Sequence, residues 1–283
     1  MNNSYDNKIK KLKRKNTFSL KKLKENKFRN PRIIVSLTSI PKRFNTLYLT
    51  LESIFNQTLK PDKVVLYLGE NTKDIELPKE IKKLIKRGLQ IEYRDDTKLR
   101  PHTKYFYALQ EYKNDIVITF DDDILYNENL IKELYESYLK YPNCISAVRP
   151  HKVTFDKNKK IKKYSEWLFD YTGDDALKPN YLLCQTGVGG VLYPPHIYPK
   201  EVFNKKIISE NFISNDDLYL YFNQIVHGIK VVRSSKNAYR LDTIEGTQEA
   251  GLLNENLYGG ANDEFIKKAM KYYNIKYKDF NKE

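Results

Sequence analysis

Cysteine is nearly absent: Cys144 and Cys184 are the only two in 283 residues. Both sit in apolar contexts and make no metal-binding spacing. That excludes a disulfide-stapled scaffold or a zinc ribbon, and both are expected as reduced core thiols of a cytosolic protein. No run of about eighteen apolar residues occurs, so no segment is expected to span a bilayer as a helix. The N-terminus has lysines but no apolar stretch behind them, which argues against a secretory signal. Glycine is sparse, at 11 residues. No G-x-G-x-x-G follows the first strand and no G-x-x-x-x-G-K-[ST] occurs, which disfavours dinucleotide cofactors and P-loop chemistry.

Apolar and aromatic residues, by contrast, are plentiful at 40% and 13%. That is ample for a globular core. The net charge of +14 is unevenly placed: residues 1–29 carry eleven Lys or Arg against Asp6 and Glu25, a net of +9 that leaves +5 for the rest. Basicity therefore belongs to a leading arm, and the globule offers little electrostatic support for nucleic-acid binding. Ile9, Leu12, Leu20 and Leu23 stand among the lysines of this arm in an amphipathic pattern. It reads equally as a peripheral anchor on an anionic bilayer or as a frayed basic tail.

From Pro31 onward, apolar runs and helical faces alternate. Ile33–Leu37, Val64–Leu68, Leu89–Tyr93 and Ile116–Phe120 read as strands. Leu47/Leu51/Ile54/Phe55, the basic stretch Pro78–Arg87 and Tyr105/Ala108/Leu109/Tyr112 read as the helices between them. Short joints make these βαβ units, hence a doubly wound, mostly parallel α/β sheet with helices on both faces. The fourth strand runs straight into Asp121-Asp122-Asp123. A strand buried on both faces cannot carry charge along its length, so these acids belong at its C-terminal edge, where open α/β sheets bind ligands. Three adjacent carboxylates repel, and a divalent cation is the simplest group to offset that; a solvated acidic turn is the plainer alternative.

Farther on, a helix over Leu130–Leu139, a strand over Cys144–Val148 and a charged excursion over Val153–Lys163 are expected. The dense glycines Gly187, Gly189 and Gly190 permit close approach to a ligand, or else a tight turn feeding a strand. Asn215 reads as an N-cap and Gly228 as a C-terminal stop, placing Asp216 and Asp217 in the first turn of a helix. Ile229–Val232 reads as a further strand and Asp263–Tyr273 as a basic amphipathic helix.

With these residues in place, the chain from about Ile33 to Val232 resembles the GT-A glycosyltransferases, most closely the bacterial family-2-like enzymes that build surface polysaccharides. The resemblance implies a GT-A fold over 31–245, between a basic tail at 1–30 and a C-terminal loop and helix at 246–283. It also implies a transfer dependent on Mn²⁺ or Mg²⁺, from a nucleotide-diphosphate sugar such as a UDP-sugar to a saccharide or glycolipid hydroxyl, at the inner face of the plasma membrane. In that family a strand-terminal Asp-X-Asp holds the metal. Carried over, Asp123 is the direct ligand, Asp121 faces the ribose or metal-bound water, and Asp122 departs from the commoner small residue. Asp216-Asp217, with Leu220 and Gly228, matches the family's Glu-Asp motif, with Asp216 in the place of glutamate. That makes Asp217 the general base of an inverting displacement. Thr38, Ser39, Pro41 and Arg43 fall where the nucleotide base is cradled, Asp95 or Asp96 and Lys104 where nucleotide or phosphate is contacted, and Gly187–Gly190 along the sugar or acceptor pocket. Nucleotidyl transfer and a non-enzymatic, basic-tailed adaptor for membrane or nucleic acid remain the rival readings.

Overall fold

A computed structural model describes residues 3–95, 97–247 and 260–281. The elements in chain order are α1 (Asn3–Phe18), β1 (Ile33–Thr38), α2 (Phe44–Phe55), β2 (Lys63–Gly69), α3 (Lys79–Lys86), β3 (Leu89–Arg94), α4 (Thr103–Phe106), α5 (Ala108–Glu111), β4 (Ile116–Thr119), β5 (Ile124–Leu125), α6 (Leu130–Lys140), β6 (Ile145–Ala147), β7 (His151–Lys152), β8 (Leu183–Cys184), β9 (Val191–Tyr193), α7 (Lys205–Ile207), α8 (Asp216–His227), β10 (Val231–Arg233), β11 (Asp242–Thr243) and α9 (Ala261–Tyr272).

Seven strands form the central sheet in the order β10-β6-β9-β4-β1-β2-β3. β1 pairs in parallel with β2 and β4, β2 with β3, and β6 with β10, whereas β9 runs antiparallel between β4 and β6. The strand order reverses at β1, whose neighbours β2 and β4 lead away on opposite sides, so the crevice beyond β1 and β4 is the sheet's topological switch point. Alternation sends Ile33, Val35, Leu37, Ile116 and Ile118 to one face, against α2, α3 and α6. Ile34, Val65, Tyr67 and Val117 go to the other, against α4, α8 and α9. A sheet covered on both faces explains why these strands read as continuous apolar runs.

Two expectations need correction. The helix expected around Tyr105–Tyr112 is two short pieces, α4 and α5, separated at Tyr107. Within the arm at 1–30, α1 is not frayed and its apolar stripe does not face outward. α1 lies on α2 and α3, with Leu12 buried and Tyr5 and Ile9 packed against Leu49, Leu125 and Ile244. Its apolar stripe is thus spent on the domain, and Leu20 and Leu23 fall beyond the helix end. The C-terminal helix α9 also belongs to the core: Phe265, Ile266 and Ala269 are buried against α8. Among the described residues no helix is long and apolar enough to cross a membrane. No disulfide forms; Cys184 is buried and Cys144 half-buried.

Candidate active site

β4 ends at Thr119, and the three acids turn away from the sheet at its C-terminal edge. The turn is pinned from below by Tyr126, whose hydroxyl accepts from the Asp121 N–H at 2.8 Å, while Thr50 Oγ1 donates to the Asp122 carbonyl at 2.9 Å. On the far side, β11 lies antiparallel to β5, and the Ile244 N–H donates to the Asp123 carbonyl at 2.8 Å.

Three separate stretches of chain meet beside Asp121. Lys104 on α4 reaches Asp121 Oδ1 at 2.7 Å and Asp216 Oδ2 at 3.1 Å with one buried ammonium. Asp217 Oδ1 accepts the Gly187 N–H at 3.0 Å, and Gln185 Nε2 donates to the Asp217 carbonyl at 3.2 Å. A Cβ on Gly187 would stand 2.6 Å from Lys104 Nζ and 3.2 Å from Asp121 Oδ1, so a side chain here would displace the ammonium from its place between the acids. Asn215 caps α8 as its sequence predicts, accepting the Leu218 N–H at 2.9 Å, and Gly228 ends the helix at a φ of 68°. The cap fixes both acids in the first turn, where the helix dipole favours them.

The charges pull the two acids apart. Burial opposes ionisation of Asp216, but the Lys104 ammonium outweighs it and holds its carboxyl below the ordinary range. Asp217 goes the other way: burial and then the Asp216 charge push it well up. Lys104 remains charged because Asp121, Asp216 and Asp217 together overcome its burial. A pair of carboxyls split in this way is a recurrent signature of acid–base machinery.

A second cluster lies one residue along. Asp122 is buried; it accepts from Ser39 Oγ and pairs with Arg43, which also reaches Asp123 Oδ2 at 3.1 Å and the Thr247 carbonyl at 3.1 Å. The Asp122 oxygens are thus engaged in holding the Ser39–Arg43 loop. Two glycines are also re-read. A Cβ on Gly190, whose φ is +97°, would meet the Phe120 ring at 2.4 Å, and one on Gly189 would meet Arg149 Cβ at 2.8 Å. Those two answer to packing; only Gly187 faces the acids. Asp216 is likewise buried against Lys104 rather than open to a substrate, so its position is that of a neighbour to Asp217. Thr38 Oγ1 donates to the Tyr67 carbonyl at 3.0 Å, and Pro41 is exposed at the start of the next turn. Asp95 is exposed just past β3, about 14 Å across the sheet from β4 at ordinary strand spacing. Asp96 lies outside the described residues.

Sequence reading missed His102. It is fully buried, its Nδ1 is 2.8 Å from Tyr105 Oη and its Nε2 2.9 Å from the Phe212 carbonyl, so it ties α4 to the segment leading into α8. Burial pushes its pKa down to about 4, so it is neutral at pH 7. A single histidine in a polar loop gives no sequence signal for such a tie.

Does this arrangement suit a divalent cation? Among the described residues no three His, Cys, Asp or Glu side chains are gathered into a ready-made cage. Yet burial first, then Asp121 and Asp122, push Asp123 up to about 6 despite the Arg43 guanidinium. The site therefore still lacks positive charge and offers only hard oxygen donors. One or two carboxylates, completed by phosphate and water, is the ordinary way Mg²⁺ is bound, so the residues fit a Mg²⁺- or Mn²⁺-type ion. A stability measurement checks this. The folded pKa of about 6 lies above the unfolded carboxylate value, so Asp123 favours the fold while protonated and ceases to as pH rises through 6. Asp123→Asn is expected to raise the melting temperature at pH 8 by roughly 2–6 °C, by less at pH 5 and not at all near about pH 3, and to remove any stabilisation by Mn²⁺. A lower melting temperature at pH 8 would contradict the charge balance.

The sequence profile described as "Glycosyl transferase family 2" matches residues 39–193, more than half of the chain. The chain belongs to glycosyl transferase family 2. It is a glycosyltransferase, and its mostly parallel seven-stranded sheet flanked by helices is the GT-A fold. A search of curated protein sequences finds no match. Among solved structures, the family 2 chain is similar to a mannosyltransferase, PcManGT, from Pyrobaculum calidifontis, in complex with GDP-Man and Mn²⁺. The TM-score is 0.53 at 12% identity, covering 93% of this chain and 70% of that one, a likeness of fold. A CMP:2-keto-3-deoxy-manno-octonic acid synthetase complexed with CTP aligns over 71% of this chain and 88% of its own at 10% identity, with a TM-score of 0.43, too low to argue from.

Proposed function

We propose that this family 2 enzyme transfers a sugar from a nucleoside-diphosphate sugar to an acceptor hydroxyl by a single, inverting displacement. The observation that carries this reading is the meeting of Asp121, Lys104, Gly187 and Asp217 at one point of the sheet's C-terminal edge. In the reaction, the acceptor oxygen bonds to the anomeric carbon, the bond from that carbon to the diphosphate breaks, and the hydroxyl proton passes to Asp217. A carboxylate with a raised pKa suits that task, because it holds the proton once taken. Asp216 keeps Asp217 basic by its charge and holds Lys104 in place; it acts through its neighbours. Gly187 orients Asp217 through its N–H. Thr38, Ser39, Pro41 and Arg43 form the loop along the nucleotide, with Asp122 as its anchor. Asp95 lies farther out on the same edge, within reach of the extended nucleotide. Asp123 and Asp121 would hold the Mn²⁺ or Mg²⁺, which neutralises charge on the departing diphosphate when bound.

A surface saccharide or glycolipid is the acceptor class we assign, with a UDP-sugar as donor. The GDP-Man and Mn²⁺ in the mannosyltransferase neighbour support adding GDP-mannose and Mn²⁺ to the donor panel. Incubating the purified chain with each nucleotide sugar, with and without Mn²⁺, and identifying the nucleotide product is the direct test. Release of nucleoside diphosphate, dependent on the metal, is expected. Pyrophosphate release from a nucleoside triphosphate and a sugar would instead establish nucleotidyl transfer, and activity unaffected by chelator would remove the metal.

A further inference from the structure

The chain between α1 and β1 runs along the edge of the sheet opposite the acids. The Leu23 N–H donates to the Arg87 carbonyl at 2.7 Å just before β3, the Asn26 N–H to Asp62 Oδ1 at 2.6 Å just before β2, and Arg29 pairs with Asp62 at 2.6 Å. These ties hold the backbone down, yet three large apolar side chains point away from the protein: Phe18 is 74% exposed, Leu20 89% and Phe28 99%. Around them Lys21, Lys22, Lys24 and Lys27 are all exposed, and Glu25, the acid among them, is paired with Arg32 at 3.3 Å. Lys60 beneath this strip has Lys15, Lys21 and Arg87 as cationic neighbours against one acid, Glu128, so positive charge is in excess here.

An isolated exposed phenylalanine is unremarkable, but three of the chain's most exposed apolar residues fall within eleven positions of one tethered strip, interleaved with four lysines. We propose that residues 18–29 form a docking surface for an anionic lipid bilayer, with Phe18, Leu20 and Phe28 entering the headgroup and acyl boundary and the lysines meeting the lipid phosphates. Charge complementarity selects this partner. The presence of an aliphatic leucine favours hydrocarbon over stacked bases. Of the sequence pattern only Leu20 is among the membrane-facing residues, since Ile9 and Leu12 are packed inside. One geometric consequence follows. The catalytic edge faces away from the lipid by the length of the sheet, about 20 Å for a strand of β2's length, so the acceptor hydroxyl is met on the aqueous side.

Co-sedimentation of the full chain with vesicles tests this, using phosphatidylcholine alone and phosphatidylcholine with a third replaced by phosphatidylglycerol. Two variants accompany the wild type: Phe18→Ser/Leu20→Ser/Phe28→Ser, and Lys21→Gln/Lys22→Gln/Lys24→Gln/Lys27→Gln. Binding to the anionic vesicles at least about tenfold above the neutral ones is expected, reduced at least about tenfold by either set of changes, with transfer in solution unchanged. Equal binding to both vesicle types, or undiminished binding by the triple serine variant, would overturn it. So would displacement from vesicles by single-stranded RNA that the triple serine variant binds as well as the wild type does.

Discussion

Asparagine at position 217 is expected to lower the rate of transfer by about 10³-fold while leaving nucleotide-sugar binding within a few-fold of the wild type. The amide keeps the shape of the carboxyl and an oxygen that can still accept the Gly187 N–H, so the loop between β8 and β9 should hold its position. What is lost is the ability to take a proton. Because the folded pKa of Asp217 is raised, the wild-type rate should fall on acidification from a higher pH than an ordinary carboxylate would give, and the variant's residual rate should lack that limb. Removing a buried like charge beside Asp216 should also leave the melting temperature unchanged or higher at neutral pH. Single-turnover transfer with donor binding measured by calorimetry separates these effects. A variant that keeps its rate, or that loses donor affinity in the same proportion as its rate, would remove Asp217 from the role of base.

Lys104→Met is expected to be the most destabilising single change at this site. The ammonium compensates three carboxylates, Asp121 after β4 and Asp216 and Asp217 on α8, and taking away one partner of a buried ionic cluster strands the rest; a loss of about 3–5 kcal/mol follows, on the order of 10 °C in melting temperature. The pH dependence distinguishes this from simple loss of packing. In the wild type, the folded pKa of Asp216 is depressed. Its contribution is present above the unfolded carboxylate range and is lost as pH falls through the depressed folded value. Without Lys104, burial and mutual repulsion raise the carboxyls above their unfolded values. Their penalty then grows as pH rises, and acidification to about pH 5 should restore part of the lost stability. A deficit that is the same at pH 5 and pH 8 would indicate packing alone.

Much of this protein was legible from local pattern. Strands β1 to β4 fall where the apolar runs predict them, because a strand covered on both faces needs an unbroken apolar sequence. The caps of α8 are the sequence's own choice: Asn215 supplies the oxygen and Gly228 the positive φ that a helix start and stop require. The placing of the three acids at a sheet edge follows from the cost of burying charge along a strand. Where expectation failed, the missing information was a distant partner. The dense glycines 187, 189 and 190 look alike in sequence, yet Gly190 yields to the Phe120 ring and Gly187 to Lys104, neither adjacent along the chain. Asp121, Asp122 and Asp123 are chemically identical neighbours, and only Arg43 and Ser39 across the crevice single out the middle one.

The same division holds for the N-terminal arm. Its charge and its helical period are properties of the sequence, but an amphipathic stripe meets a bilayer and a protein surface with the same apolar face. Contact with Leu49, Leu125 and Ile244 turned that face inward and left Phe18, Leu20 and Phe28 outside. The sequence by itself determined the α/β alternation, the family and the edge of the sheet at which the acids emerge, since each depends on residues near one another along the chain. The tertiary structure alone decided which acid pairs with which cation, and so which carboxyl is held ionised and which is driven toward its proton. Those outcomes depend on distances of a few ångströms between α4, β4, β9 and α8, set by packing across the sheet.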